Sequence, residues 1–367
     1  MFSRRRFLAR GSGAVLGTLF LAGRRGAWLQ AAGGEDNLPD GSAARGMITP
    51  AAQRAIDQGL AYLARNVRED GSFGTGQHEG SVAITSLAAL SLMAGGHQPN
   101  RGAYGHVVTQ ALEYVISQED AGRPGYLHKA GDSSHGPMYG HGFGTLFLAE
   151  ASGVIHHKTL RDSVHETLKR AVDLIVRTQN ARGGWRYHPG STDADISVTI
   201  CQIMALRSAR NAGLYVPKET VDRCVRYVKS CQDRATGGFR YMDMMANGAA
   251  FARTAAGVAA LYAAGVYKGP EVERGLEYLM RWLRDSQSSP RYDMHYFYGH
   301  YYAAQAMWTA GGSYWAEWYP AIREELINRP RLHADGSWPD QICNHYGTAM
   351  ACIILQVPNN YLPILQK

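Results

Sequence analysis

A small polar residue followed seven positions later by an apolar one recurs six times at near-regular intervals along the chain. The pairs are Thr85/Leu92, His141/Leu148, Thr199/Leu206, Thr254/Leu261, His300/Met307 and Thr348/Leu355. Glycine-aromatic turns precede them, at Asp70-Gly71-Ser72-Phe73, Gly122-Arg123-Pro124-Gly125-Tyr126, Gly183-Gly184-Trp185, Gly237-Gly238-Phe239 and Asp335-Gly336-Ser337-Trp338. The fifth turn is degenerate, with Ser289-Pro290-Arg291-Tyr292. Upstream of each turn lies a segment with apolar residues at helical spacing, such as Ile56-Gly59-Leu60-Leu63 and Ala171-Leu174-Ile175. Each unit therefore reads as a half-buried helix, a sharp turn and a second, more apolar helix. A helix pair cannot bury its apolar face alone, so six of them must stack, and six are enough to close a ring.

The formal charge of +7 suggests nucleic acid until it is located. Arg4, Arg5, Arg6, Arg10, Arg24 and Arg25 supply six charges, with no acid before residue 26, which leaves about +1 for the remainder. No basic stripe with interleaved aromatics survives, and nucleic-acid binding is excluded on that ground. Ser3-Arg4-Arg5-Arg6-Phe7-Leu8, followed by a weakly apolar run over 11–23, resembles a bacterial twin-arginine export signal. That resemblance implies a signal over 1–32, a linker over 33–49 and a folded body over 50–367. It also implies a periplasmic location or an anchor on the outer side of a membrane, with peripheral membrane contact as a further expectation. The five cysteines include no C-x-x-C pair. Cys224 and Cys231, seven apart on one helix, are separated by a rise of ~10 Å, beyond the reach of a disulfide. They read as small buried apolar residues.

The turn from Gln179 to Trp185 matches the Q-x3-G-x-W element of triterpene cyclases, and the unit from Gly59-Leu60-Ala61-Tyr62-Leu63 to Gly95 is similar to the prenyltransferase and squalene oxidase repeat. The resemblance covers roughly residues 50–360. It implies an all-α fold, the (α/α)6 toroid of six helix-pair repeats shared by terpene cyclases and protein prenyltransferase β subunits. In such a ring the second helices form the inner layer. Positions seven apart differ by only ~20° around a helix, so the Thr/His and Leu columns share a face. If that face meets the outer helices, the lumen receives Ala83, Tyr139, Ser197, Ala252, Tyr298 and Tyr346 near the helix starts. Deeper lie Leu87, Phe143, Cys201, Ala256, Tyr302 and Met350. Such an aromatic throat suits an isoprenoid or other lipid, unless these side chains simply fill the ring.

Asp193-Ala194-Asp195-Ile196 stands just before the third inner helix. The family resemblance aligns Asp193 and Asp195 with the first two acids of the D-x-D-D motif of class II terpene cyclases, whose middle aspartate protonates the substrate. Ile196 replaces the third acid. The residues themselves also allow a plain N-cap role for Asp195. His141, in the neighbouring repeat, is the expected partner of Asp195, so Asp195, Asp193 and His141 form the candidate catalytic set. Tyr139, Phe143, Ser197, Tyr298, His300, Tyr302 and Tyr346 form the candidate cavity lining. His141 and His300 are three repeats apart, which places them across the ring and argues against a shared metal. Asp340-Gln341-Ile342-Cys343 has one residue too many for the D-x-C zinc element of protein prenyltransferases, and no histidine follows His345. No Walker loop, H-E-x-x-H or G-x-G-x-x-G occurs, so no metal and no cofactor are expected. Three readings stay open: a toroid that cyclises an isoprenoid, a non-catalytic lipid- or partner-binding toroid, and a glycan-active enzyme with two lumen carboxylates. The sequence does not fix the oligomeric state.

Overall fold

A computed structural model describes residues 44–129, 136–245, 248–288, 295–328 and 331–366. The chain divides into a unit of residues 1–38, outside the described residues, and one of residues 39–367. The export segment, most of the linker and the degenerate fifth turn also lie outside the described residues.

The described residues form twelve α-helices, and no named strand is found among them. They are α1 (Pro50–Arg65), α2 (Val82–Ala94), α3 (Gly105–Ser117), α4 (Pro137–Ser152), α5 (Lys158–Arg177), α6 (Ile196–Asn211), α7 (Lys218–Ser230), α8 (Phe251–Ala263), α9 (Pro270–Ser288), α10 (Tyr296–Ala310), α11 (Gly312–Ile327) and α12 (Asn344–Gln356). Proline at the first position suits α1, because its missing N–H is one of the unbonded donors of a helix start, and Thr49 caps the turn from Ala52 N (3.2 Å). No described helix is long and apolar enough to cross a membrane.

The even-numbered helices pack in the order α2, α4, α6, α8, α10, α12, and α12 returns to α2, so they form a closed inner ring. Burial follows from this position: every residue of α2 except Ala83 is buried, whereas α1 buries only the stripe Ala52, Ala55, Ile56, Gly59, Leu60 and Leu63. The odd-numbered helices form the outer layer, as the amphipathic spacing predicts.

The polar column has a mechanical role in this ring. Thr85 Oγ1 accepts the N–H of Phe73 (3.0 Å), Thr199 that of Trp185 (3.1 Å), Thr254 that of Phe239 (2.9 Å) and Thr348 that of Trp338 (3.0 Å). His141 Nδ1 takes the same part for Leu127 N (3.3 Å). Each of these five turns is thus latched to its own inner helix by the backbone amide at or beside the aromatic. The ring of that aromatic fills the space behind the latch, and Trp185 and Trp338 donate their indole N–H to Ile175 O and Leu326 O of their own outer helices (2.8 Å each).

The turn glycine faces the next repeat. Gly183, at φ 95°, lies against the carbonyl of Arg223 on α7, and Gly336, at φ 89°, lies against Gln58 on α1. A Cβ on Gly336 would fall 2.6 Å from the Gln58 oxygen, so glycine is required there both by space and by backbone conformation. Trp338 also presses on Gly59 of α1, and Gly74 N–H donates to His345 Nδ1 (3.0 Å). Repeat six therefore closes on repeat one through the glycine contact that Gly71, Gly125, Gly183 and Gly237 make with the outer helix after them.

At the C-terminal ends of the inner helices, residues 357–366 cross the ring as a strap. Asn359 Nδ2 donates to Ala94 O (3.1 Å), Trp308 Nε1 donates to Leu365 O (2.8 Å), and Ile364 N–H donates to Glu150 Oε2 (3.1 Å). The other Glu150 oxygen accepts from Ser208 Oγ. A cleft of about 920 Å³ opens beside this carboxyl, bounded by Tyr361, Leu362 and Pro363 of the strap.

Two outcomes follow for stability. Thr199→Val keeps the shape but leaves the buried Trp185 N–H without an acceptor, and it should cost about 1–3 kcal/mol in denaturant unfolding. An unchanged midpoint would show that the latch is dispensable. Glu150 is 3% exposed, and burial pushes its carboxyl from the ordinary 4.5 up to about 7, against the pull of Ser208, the Ile364 N–H and Arg207. The proton is held more tightly in the folded chain, so the stability it contributes is full below about 4.5 and is lost as pH rises through about 7. Thermal unfolding across that window should show a decline on the order of 3 kcal/mol that Glu150→Gln abolishes. Parallel pH profiles for the two proteins would contradict it.

Candidate functional site

The N-terminal ends of the inner helices form the opposite end of the ring, and the candidate residues gather there around one guanidinium. Asp195 is fully buried at the N-cap of α6, in extended conformation. Its Oδ1 accepts the Val198 N–H (2.8 Å) and its Oδ2 accepts from Arg186 Nη1 (2.9 Å). Asp193 Oδ2 lies 3.2 Å from Arg186 Nε. Arg186 Nη1 also donates to the Tyr241 hydroxyl (2.7 Å), and Tyr187 and Tyr241 share a hydroxyl–hydroxyl contact. The guanidinium carbon sits 4.3 Å from the Tyr187 ring centroid and 5.3 Å from that of Tyr241. Three local features hold this cluster in place. The latch fixes Trp185, the Asp195 N–H donates to Trp185 O (3.1 Å), and the Ile196 N–H donates to Tyr241 O (3.0 Å).

Burial holds the Asp195 carboxyl above its ordinary value, and the Val198 N–H and the Arg186 guanidinium only partly offset it. Burial likewise opposes the charge on Arg186, but Asp195 and the tyrosine oxygens outweigh it and raise that group further above its already high value. A guanidinium this firmly protonated makes the pair an ion pair, with both carboxylate oxygens acting as acceptors.

The structure does not bring His141 to Asp195. His141 is fully buried between inner and outer layers, its Nδ1 is committed to the Leu127 amide, and burial pushes it down to about 3. It is a neutral latch, placed like the threonines of its column, because that column faces outward. For the same reason His300 does not line the cavity. It sits in a box of Tyr296, Phe251, Trp282 and Trp318, with ring centroids at 4.4, 4.9, 5.6 and 5.8 Å, and burial also pushes it down to about 3.

The remaining candidates meet in the lumen at two levels. Tyr139, Ser197 and Tyr298 are half-buried, and Tyr346 is 8% exposed. Tyr139 and Tyr187 face each other at 6.2 Å between ring centroids. One turn deeper, Phe143 and Tyr302 are buried. Burial raises the phenol groups of Tyr139, Tyr298, Tyr302 and Tyr346 well above their ordinary value, so all four are neutral hydroxyls. Among the described residues no group of three His, Cys, Asp or Glu side chains is placed to hold a metal ion. Asp340, in the sixth repeat, accepts the Ile342 N–H (2.8 Å) in a turn of its own.

Sequence reasoning missed Arg186, Tyr187 and Tyr241. Their signal is a shared element in successive repeats, Gly183-Gly184-Trp185-Arg186-Tyr187 and Gly237-Gly238-Phe239-Arg240-Tyr241. The repeat register was read up to the aromatic and no further.

With this geometry in hand, the comparisons define the class. Residues 158–295 match the prenyltransferase alpha-alpha toroid domain. The chain is an all-α toroid, similar over that segment to the prenyltransferase toroid family, with type II terpene cyclases among its structural neighbours. A type II terpene cyclase from Scytonema in complex with geranylgeranyl dihydroxybenzoate is 13% identical, with a TM-score of 0.56 over 85% of this chain and 98% of its own. Cellobiose 2-epimerase from Spirochaeta thermophila is 12% identical, with a TM-score of 0.61 over 85% and 98%. An α-1,6-mannanase from Salegentibacter is 7% identical, with a TM-score of 0.58 over 83% and 98%. At these identities the likeness concerns the fold alone. No curated protein matches the sequence.

Arg186→Met should destabilise the chain by about 2–4 kcal/mol, because it strands a buried carboxylate. Adding Asp195→Asn should recover part of that loss, with a coupling of about 1–3 kcal/mol in a double-mutant cycle. Additive losses would mean that the two side chains do not act as a pair.

Proposed function

We propose that this toroid binds the end of an apolar ligand at its tyrosine-lined mouth and does not cyclise it. The observation that carries this reading is the engagement of both Asp195 oxygens, one by the Val198 N–H and one by Arg186. A proton donor to an alkene must hold a proton and present it to the ligand. Asp195 instead accepts at each oxygen, and a charged guanidinium beside it favours the carboxylate. The third acid of the cyclase motif is Ile196, a buried apolar residue. A glycan-cleaving pair is disfavoured by the same geometry, since Asp193 and Asp195 converge on one arginine rather than flanking an open gap.

Support for an apolar ligand comes from Tyr139, Tyr187 and Tyr298, whose rings are only half-buried at this end of the ring. The neighbouring terpene cyclase, complexed with geranylgeranyl dihydroxybenzoate, shows that this fold can hold such a molecule. The arginine start argues for work outside the cytoplasm, and a reporter fused behind residues 1–49 should be exported only while Arg4 and Arg5 are intact.

Solvent extraction of the purified full-length protein followed by mass spectrometry should recover a near-stoichiometric apolar compound. Incubation with squalene or a geranylgeranyl probe should return it unchanged. A cyclised product that disappears in Asp195→Asn would overturn the non-catalytic reading, and an extract free of lipid would remove the apolar-ligand reading.

A further inference from the structure

The lumen is crossed by side chains from a single inner helix. On α8 the lumen positions are Ala252 and Ala256, which occupy little of the space in front of them. Tyrosines of α10 pass through that space to the helix beyond. Tyr298 donates its hydroxyl to Ser197 O on α6 (3.2 Å), and the Tyr302 hydroxyl lies 3.3 Å from Cys201 Sγ on the same helix. Tyr301 meets Phe143 of α4, with ring centroids 6.2 Å apart, on the opposite side of the ring. Accessibility changes over this single turn, a rise of ~6 Å. Tyr298 and Ser197 are half-buried, whereas Tyr302 and Cys201 are 0% and 2% exposed.

We propose that Tyr298 and Tyr302 are specificity-determining residues that floor the mouth and limit how much of an apolar chain the ring can enclose. The proposal rests on the reading of the mouth as an apolar-ligand site. Its physical basis is that two bulky side chains, each tied to α6 through its hydroxyl, must move before a ligand can pass. Anything longer than the first isoprene units stays outside and adds little affinity. Replacing either tyrosine by alanine would continue the gap that Ala252 and Ala256 already leave and would uncover the Cys201 thiol.

That thiol reports on the floor without any ligand. In the full-length protein, N-ethylmaleimide labelling read by peptide mass spectrometry should modify Cys201 as slowly as the fully buried Cys224 and Cys352. Tyr302→Ala should raise the Cys201 rate by about an order of magnitude or more, with Cys224 and Cys352 unchanged. If all three accelerate together the variant has unfolded, and the smaller change Tyr298→Val then decides. Rapid labelling of Cys201 in the unaltered protein, or no gain in folded variants, overturns the floor. The chain-length consequence is read with geraniol, farnesol and geranylgeraniol by fluorescence titration. The unaltered protein should bind all three alike, while Tyr302→Ala should gain about tenfold or more for the longer two. Affinity that climbs with length before any substitution also overturns the proposal. Failure of every form to bind any of the three alcohols, with Cys201 newly labelled in the variants, would instead overturn the apolar-ligand reading and leave the floor standing.

Discussion

The hydrogen bond from the turn amide to the Thr/His column is the interaction on which the rest of the ring depends. A sharp turn tucked between two helix layers leaves backbone N–H groups facing apolar surroundings, and each needs an acceptor. A helix cannot lend its own carbonyls in mid-course, so the acceptor must be a side chain: threonine at Thr85, Thr199, Thr254 and Thr348, and histidine at His141. Once that bond is made, the aromatic beside it points between the layers and the glycine before it reaches the next outer helix. A single local contact thereby sets the spacing within a repeat and the junction between repeats. Ring closure needs no additional device, since Gly336 and Trp338 meet α1 as earlier turns meet their neighbours.

The same latch determines where chemistry can be placed. The residue after the aromatic varies: Gly74 and Leu127 are buried, Arg186 and Arg240 are half-buried and Pro339 is exposed. In the third repeat it is an arginine held between two aspartates and two tyrosine rings, which makes this the charged sector of the mouth. The cluster also couples repeats, because Tyr241 belongs to the fourth turn and Arg182 pairs with Asp243 there. A stabilising junction and a candidate binding surface are therefore built from the same side chains. An aspartate that serves such a junction is poorly placed to give up a proton to a ligand.

Much of this architecture was legible from the sequence because repetition amplifies weak signals. Six aligned repeats set the inner helices and show that the Thr/His and Leu columns share a face, while the outward direction of that face had to be assumed. What the column does was not legible, since a hydroxyl's partner is set by the turn's three-dimensional path. The expected Asp195–His141 contact failed for a related reason. Adjacent repeats bring residues into one region, but Asp195 stands at a helix start while His141 points into the layer behind. Arg186 escaped notice because a lone cation in a turn ordinarily lies in solvent, and only its burial between Tyr187 and Tyr241 gives it a role.

The two ends of the ring are finished by different means, and the difference bears on function. At the C-terminal ends of the inner helices residues 357–366 form the closure, pinned to the α2 backbone by the Asn359 side chain and through their own backbone to Glu150 of α4 and Trp308 of α10. At the other end, among the described residues, side chains of α10 span the gap left by the alanines of α8. A strap held by several bonded anchor points comes away only as a unit, whereas a tyrosine can swing about χ1 once a single hydroxyl contact is lost. Among the described residues, parting the tyrosine floor breaks fewer bonds than lifting the strap. The tyrosines of that floor stand apart from the latch column, so they can be varied without disturbing the latches beneath them.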